Sequence, residues 1–181
     1  YKGSNNSTLT GNSDRNTIYG ALTLRNMINA ANGDDYLVGG DTTDSLFGGE
    51  GNDTLVVTAW ADIPVSELGA TLRTGLGSDT LNGGAGDDWY VVNSQTAYTF
   101  QDTLGTNTIA SMVNFSLKYN LAIQDNIQNL YLVGNASLRG TGSDLNNTVT
   151  GNDGNNSLAA EAGNDTVLGG LGADLINGGT G

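Results

Sequence analysis

The sequence predicts an all-β solenoid. Three features carry that reading: a nine-residue period, glycine and aspartate at fixed places within it, and a large apolar residue one place before its end. Residues 30–56 read AANGDDYLV, GGDTTDSLF and GGEGNDTLV, three units in one frame, with Asp35, Asp44 and Asp53 at the sixth place and Leu37, Leu46 and Leu55 at the eighth. A short fixed period of this kind marks a repeat architecture, in which each unit buries its apolar side against its neighbours and not in one central core.

Each part of the unit has a physical reason. Glycines at places one, two and four let the chain enter positive-φ turns and let its backbone approach a ligand closely. The sixth-place carboxylate joins a turn already rich in carbonyl oxygens. The last three residues extend as a short strand, whose alternation points the eighth-place side chain inward. Turn and strand together make half a coil.

The frame recurs along the chain. Asp79 in TGLGSDTLN and Asp88 in GGAGDDWYV hold the sixth place, with Leu81 and Tyr90 inward. Asp34 and Asp87, at the fifth place, read most simply as solvated turn residues. From Gly142 four units follow in register, with Asn147, Asn156, Asp165 and Asp174 at the sixth place and Val149, Leu158, Val167 and Ile176 at the eighth. A weaker copy, residues 11–19, carries Asn16 and Ile18, and residues 20–29 are degenerate. Residues 57–73, with Trp60 and the only proline, Pro64, lack the glycine spacing and are expected to bulge from the coil as a loop or short cap. Residues 92–141 hold apolar and β-branched runs bracketed by glycine and asparagine, which predicts strand, with a short helix as the alternative over 119–128. Gly-Asn-Asp-rich sequence by itself also reads as turn or disordered linker, but disorder would not keep a large apolar residue in step with the period.

The best copies fit G-G-x-G-x-D-x-U-x, with U large and apolar, and resemble the calcium-binding nonapeptide of RTX (repeats-in-toxin) proteins. The stretch containing GTNTIASMVNFSL and NIQNLYLVGNASLRGTGSDLNNTVTGNDGNNSL is similar to the spacer that alternates with such blocks in very large bacterial surface and secreted proteins. The resemblance implies a parallel β-roll with two repeat blocks around a β-rich spacer: degenerate repeats over 1–29, a first block over 30–91 with the loop 57–73 inserted, the spacer over 92–141 and a second block over 142–181. In such a roll two nonapeptides make one coil, so Asp35 stacks on Asp53, Asn147 on Asp165 and Asn156 on Asp174.

The implied ligands are several Ca2+ ions between successive coils. Side-chain ligands would be Asp35, Asp53, Asp79, Asp88, Asp165 and Asp174, with Asp44 a weaker candidate because Thr42 replaces the fourth-place glycine. The implied carbonyl donors are those of Asn32, Gly33, Gly49, Gly51, Gly84, Gly86, Gly170 and Gly172. Hard oxygen donors suit calcium, which takes six to eight of them. Rungs spaced by roughly 4.8 Å bring bare carboxylates close enough to repel by on the order of 1 kcal/mol in water, and more where water is excluded. Metal reverses that sign, and its binding energy becomes folding energy. The neutral Asn147 and Asn156 rungs are expected to hold calcium weakly or not at all, and the turns around Asp53 and Asp174 most strongly.

Composition narrows the function. Six Lys or Arg stand against 19 Asp or Glu, a net charge of −13, which disfavours nucleic acid and anionic membrane and favours cations. There is no cysteine, so bound metal takes the stabilising role that disulfides have in many secreted proteins. With no histidine either, triad and H-E-x-x-H chemistries are excluded. The acids outside the frame (Asp62, Glu67, Asp102 and Asp125) form no motif, so a noncatalytic role is expected. No apolar run approaches the roughly 20 residues of a membrane helix. The sequence starts at Tyr1 and stops inside a repeat, as a piece of a longer protein would.

Two noncatalytic readings follow from the resemblance. One is a calcium-dependent structural segment of a secreted bacterial surface protein, S-layer-like or adhesin, that folds and assembles outside the cell into a homo-oligomer or polymer and contacts a cell-surface glycan. The other is the folding and secretion module of a type I-exported enzyme. The spacer between blocks favours the first. Trp60, Trp89, Tyr90 and Tyr131 would make a sugar-binding face if they shared one, although isolated aromatics in a β protein more often pack into the core. Ice binding would need a row of identical threonines, and the third-place residues, such as Asn32, Glu50, Ala85 and Leu171, form none.

Overall fold

A computed structural model of the chain describes residues 6–21, 23–40, 42–56, 79–93, 98–102, 104–118 and 127–181. Among them there is strand and turn but no helix. In chain order the strands are β1 (Ser7–Thr10), β2 (Thr17–Tyr19), β3 (Asn26–Asn32), β4 (Tyr36–Val38), β5 (Ser45–Glu50), β6 (Thr54–Val56), β7 (Asp79–Ala85), β8 (Trp89–Val92) and β9 (Tyr98–Phe100). They continue with β10 (Asn107–Ser111), β11 (Phe115–Ser116), β12 (Ile127–Leu132), β13 (Arg139–Thr141), β14 (Thr148–Thr150), β15 (Ser157–Ala159), β16 (Thr166–Leu168) and β17 (Leu175–Asn177).

The strands alternate between two faces. Even-numbered strands form one eight-stranded sheet from β2 to β16, and odd-numbered strands form a five-stranded sheet, β1 to β9, and a four-stranded sheet, β11 to β17. The pairings are parallel, as in Tyr36↔Thr54, Thr54↔Trp89 and Ser157↔Leu175. Parallel neighbours need a crossover, and here the crossover is the strand on the opposite face. The result is the parallel β-roll expected from the repeat.

The eighth-place residues fill the space between the faces. Ile28, Leu37, Leu46, Leu55, Leu81, Tyr90 and Ile109 are 0% exposed and belong to one continuous apolar cluster, which runs on to Val149 and Leu158. Full burial of such a side chain contributes about 1.5–3 kcal/mol, so the ladder of inward residues is the main apolar support of each coil. Gly140 holds the eighth place in β13, where a Cβ would meet Leu158 and Leu130 at 3.1 and 3.3 Å and Leu132 at 3.4 Å; the neighbouring leucines already fill its space.

The roll runs on through the stretches that depart from the repeat. Loop 57–73 lies outside the described residues, but the strands on either side of it pair directly: Leu46 with Leu81 and Leu55 with Tyr90. Asp53 and Asp88 are 35 residues apart where an ordinary coil has 18, the length of one coil plus that loop. Strands of 92–141 join the same sheets, and β10 pairs with β8 on one side and β12 on the other. The alternative helix over 119–128 falls mostly outside the described residues, and its last two positions, Ile127 and Gln128, open strand β12.

Candidate metal centre

The turns line the two long edges of the roll. Places two and four carry positive φ: Gly49 at 121° and Gly51 at 122°, with non-glycine Ala31 at 85° and Glu161 at 79° also at place two. Glycine is required where coils touch most closely, for a Cβ on Gly49 would lie 1.6 Å from the Ala31 carbonyl oxygen one coil back. In the same way the carbonyl oxygens of Gly33, Gly49, Gly51 and Gly86 project along the stack, 2.3, 2.0, 1.9 and 1.6 Å from where a Cβ would stand on Gly51, Gly84, Gly86 and Gly105.

Sixth-place side chains form a ladder along one edge. The N–H of Asn16 donates to Asp35 Oδ1 at 2.7 Å, that of Asp35 to Asp53 Oδ1 at 2.8 Å and that of Asp53 to Asp88 Oδ1 at 2.6 Å. It continues through Asp88 to Asn107 Oδ1 and Asn107 to Gln128 Oε1, both at 2.9 Å, and from Asn147 to Asp165 Oδ1 at 2.8 Å. On the opposite edge Asn26 donates to Asp44 and Asn156 to Asp174. Asp35 and Asp53, Asn147 and Asp165, and Asn156 and Asp174 therefore stack as their spacing implies.

Aspartate and asparagine rungs differ in what remains after that bond. The side-chain oxygens of Asn16, Asn147 and Asn156 each accept the place-two N–H of their own turn, from Asn12, Ser143 and Asn152. Those rungs are closed by hydrogen bonds. Oδ2 of Asp35, Asp53, Asp88 and Asp165 is buried and has no hydrogen-bond partner. At Asp53 this oxygen lies 2.1 Å from the point where Gly48 would carry a Cβ, and the Gly83 carbonyl of the next coil lies 2.6 Å from that point. A glycine-sized space thus brings together two hard oxygens from successive coils.

The electrostatics match. Asp35, Asp53 and Asp88 are 2%, 1% and 0% exposed. Burial raises the pKa of Asp35, moves that of Asp53 to about 6 and that of Asp88 to about 7; neighbouring acids add to the last two, Asp35 and Asp34 for Asp53, Asp102 and Asp53 for Asp88. An isolated buried carboxylate is costly, and it becomes stable when neutralised by a proton or paired with a cation. Asp44 is also buried and raised, but the Asn26 amide donates to it and the Thr42 hydroxyl takes the Leu24 carbonyl of the preceding coil. The threonine that weakens this copy in sequence thus occupies a backbone oxygen in space.

Among the described residues no three acidic side chains converge on one point. Asp79 opens β7, its main chain paired with Tyr98. Asp165 and Asp174 are half-buried, and Gly169 leaves the space beside Asp174 Oδ2. The Asn32 amide donates to Glu50 Oε2 at 3.0 Å.

Three features escaped the sequence reading. First-place carbonyls such as that of Gly83 belong with the sixth-place acids. Fifth-place residues form a second ladder running the other way: the N–H of Asn52 donates to Asp34 Oδ1, that of Asp87 to Asn52 Oδ1 and that of Thr106 to Asp87 Oδ1, at 2.8, 2.8 and 2.7 Å. Asp34 and Asp87 are therefore more than solvated turn residues; the signal in sequence is the run of Asp or Asn at the fifth place. Residues 102–110, DTLGTNTIA, also continue the repeat, with Gly105 at place four, Asn107 at six and Ile109, paired with Tyr90, at eight.

The aromatics do not share one face. Tyr90 is in the core, edge-on to Phe100 with ring centroids 5.2 Å apart. Trp89 and Tyr131 lie on the other side of the eight-stranded sheet, half-buried against a second apolar cluster that includes Val56, Val91 and Val133, and meet at 6.2 Å. Trp60 lies outside the described residues.

A turn-and-strand roll whose stacked edge acids Asp35, Asp53, Asp88 and Asp165 each keep one buried oxygen without a hydrogen-bond partner defines a calcium-repeat architecture. The profile of the RTX calcium-binding nonapeptide repeat matches residues 3–22, 24–55, 69–95 and 141–176, well over half of the chain. The chain belongs to that family, whose repeats bind calcium. No curated protein matches it.

Proposed function

We propose that this chain is a noncatalytic, calcium-dependent structural segment of a secreted bacterial surface protein, S-layer-like or adhesin, which folds and assembles when it meets calcium outside the cell. The observation that carries the reading is the row of buried Asp35, Asp53 and Asp88 carboxylates, each with one oxygen on the neighbouring coil and one without a partner. Those acids, with carbonyls of the glycine turns such as Gly49, Gly51, Gly84 and Gly86, would hold the ions; Asp165 and Asp174, with Gly170 and Gly172, would do so in the second block. Asp79 belongs to the same set by its place in the repeat. Bound calcium supplies positive charge between coils that otherwise repel. In low-calcium cytosol the chain stays expanded by its own charge and suits export through a channel; outside, metal folds it.

The half-buried aromatic pairs Tyr19–Tyr36 and Trp89–Tyr131 beside the second apolar cluster support a cell-surface glycan as partner, and strand edges at the ends of the roll support stacking with another copy. The division into two blocks and a spacer belongs to this reading. Circular dichroism through a calcium titration tests it: strand signal appears with calcium and disappears with chelator. A spectrum indifferent to both overturns it.

A further inference from the structure

Asp102 holds the first place of its repeat, where the stacked turns around it have glycine at Gly48 and Gly83. Its side chain is 0% exposed. One carboxylate oxygen accepts the hydroxyl of Tyr90, which in turn accepts the Gly83 N–H at 2.9 Å, and the other accepts the Leu104 N–H at 3.1 Å. Tyr90 takes an eighth place that leucine, isoleucine or valine fills in the neighbouring coils. Its ring packs on Phe100, and its hydroxyl reaches the edge from the core side.

Asp88 Oδ2 lies 2.0 Å from the point where Gly83 would carry a Cβ, and the N–H of that same Gly83 donates to the Tyr90 hydroxyl that Asp102 accepts, so the two carboxyl groups meet at Gly83. Asp88 Oδ2, on a side chain that is 0% exposed, has no hydrogen-bond partner. At the equivalent position one coil earlier, the first-place residue Gly83 offers only its carbonyl to Asp53. Here the first-place residue brings a second buried carboxylate. The ion pairs of Lys118 with Asp144 and Glu161 lie elsewhere.

We propose that Asp102 and Asp88, from successive coils, form a two-carboxylate site for a divalent cation, with Tyr90 as the positioning residue, and that this is the tightest ion site of the chain. It rests on the calcium reading above and adds to it a residue outside the sixth place. Affinity of oxygen sites rises with the number of charged ligands, and in the coil the Tyr90 hydroxyl holds the Asp102 carboxylate at the edge, so that side chain does not depend on the ion alone for its position.

Calorimetric titration with Ca2+ and tyrosine-sensitised Tb3+ luminescence on the full chain test this. Asp102→Asn keeps an oxygen for the Tyr90 hydroxyl and removes the charge together with the acceptor of the Leu104 N–H; the tightest ion should weaken at least tenfold, with later ions unaffected. Asp88→Asn should weaken the same ion, and the double variant should lose little more than either single one. Tyr90→Phe should weaken that ion by a smaller factor and leave the ion count at saturation intact. If Asp102→Asn binds its first ion as the wild type does, the assignment is wrong although the calcium reading stands. If the wild type takes up no ion, both fall.

Discussion

The main-chain N–H of Asp35 donates to Oδ1 of Asp53 one coil further on, at 2.8 Å, while Oδ2 of Asp53 stays buried without a partner. This half-satisfied carboxylate, shared by Asp35, Asp88 and Asp165, separates those rungs from the Asn16, Asn147 and Asn156 rungs, which close on themselves. The same place in the repeat therefore builds two kinds of joint, one complete by hydrogen bonds and one completed by a cation.

Asp53→Asn should convert one kind into the other. By analogy with Asn107, whose amide oxygen accepts the Asp88 N–H of the preceding coil while its amide nitrogen donates to a carbonyl of its own turn, the new amide oxygen would keep the Asp35 N–H and the amide nitrogen would replace the unpartnered Oδ2. Removing a buried, unpaired charge should shift the chelator-treated chain toward the coiled state by about 1–3 kcal/mol, while the gain on adding calcium shrinks because one ion is lost. Strand content by circular dichroism, in chelator and in saturating calcium, gives both numbers. A variant less structured than wild type in chelator contradicts the argument.

The roll itself was legible because its cause is local: Leu37, Leu46 and Leu55 return every nine residues, and a period that short has few ways to bury them. The stacking of Asp35 on Asp53 followed once a coil was two units. The roles of Asp34 and Asp102 were not legible. Asp34 works through a bond to a backbone N–H 18 residues away, and one unit seen alone does not show which of two adjacent acids faces the next coil. Asp102 stands where the motif wants glycine, so the frame breaks in sequence at the point where the coil continues in space. Ice binding was weighed on the third place, whereas strand alternation turns places seven and nine outward; on the eight-stranded sheet the seventh-place row Thr17, Thr54, Thr108, Thr148 and Thr166 is interrupted by Tyr36, Trp89 and Asn129.

Two glycines separate backbone strain from coil contact. Gly134 has φ 90° and nothing within 4 Å of the point where a Cβ would stand, whereas Gly49 has φ 121° and the Ala31 carbonyl oxygen 1.6 Å from that point. Gly134→Ala should cost only the left-handed penalty, about 1–2 kcal/mol, and lower the melting temperature in calcium by about 2–8 °C. Gly49→Ala should cost several times more, because the clash is with backbone and coils cannot separate singly. Equal melting temperatures for the two variants would show that the coils are not in the close contact described.

Acid and calcium should act as rivals with opposite signs. In the unfolded chain Asp53 and Asp88 titrate near 3.8; in the coil burial moves them to about 6 and about 7. Between those limits the folded chain holds more protons than the unfolded one, so without metal stability is greatest below about pH 4 and declines as pH rises through 6 to 7. Chelator-treated protein should therefore gain strand signal when taken from pH 8 to pH 5, by on the order of a few kcal/mol in the folding equilibrium. With calcium at a subsaturating concentration the trend reverses, because protons then displace the ion from Asp53 and Asp88 and more calcium is needed at pH 5 than at pH 8 to reach the same signal. A calcium midpoint independent of pH over this range would mean that these two acids are not where the ion binds.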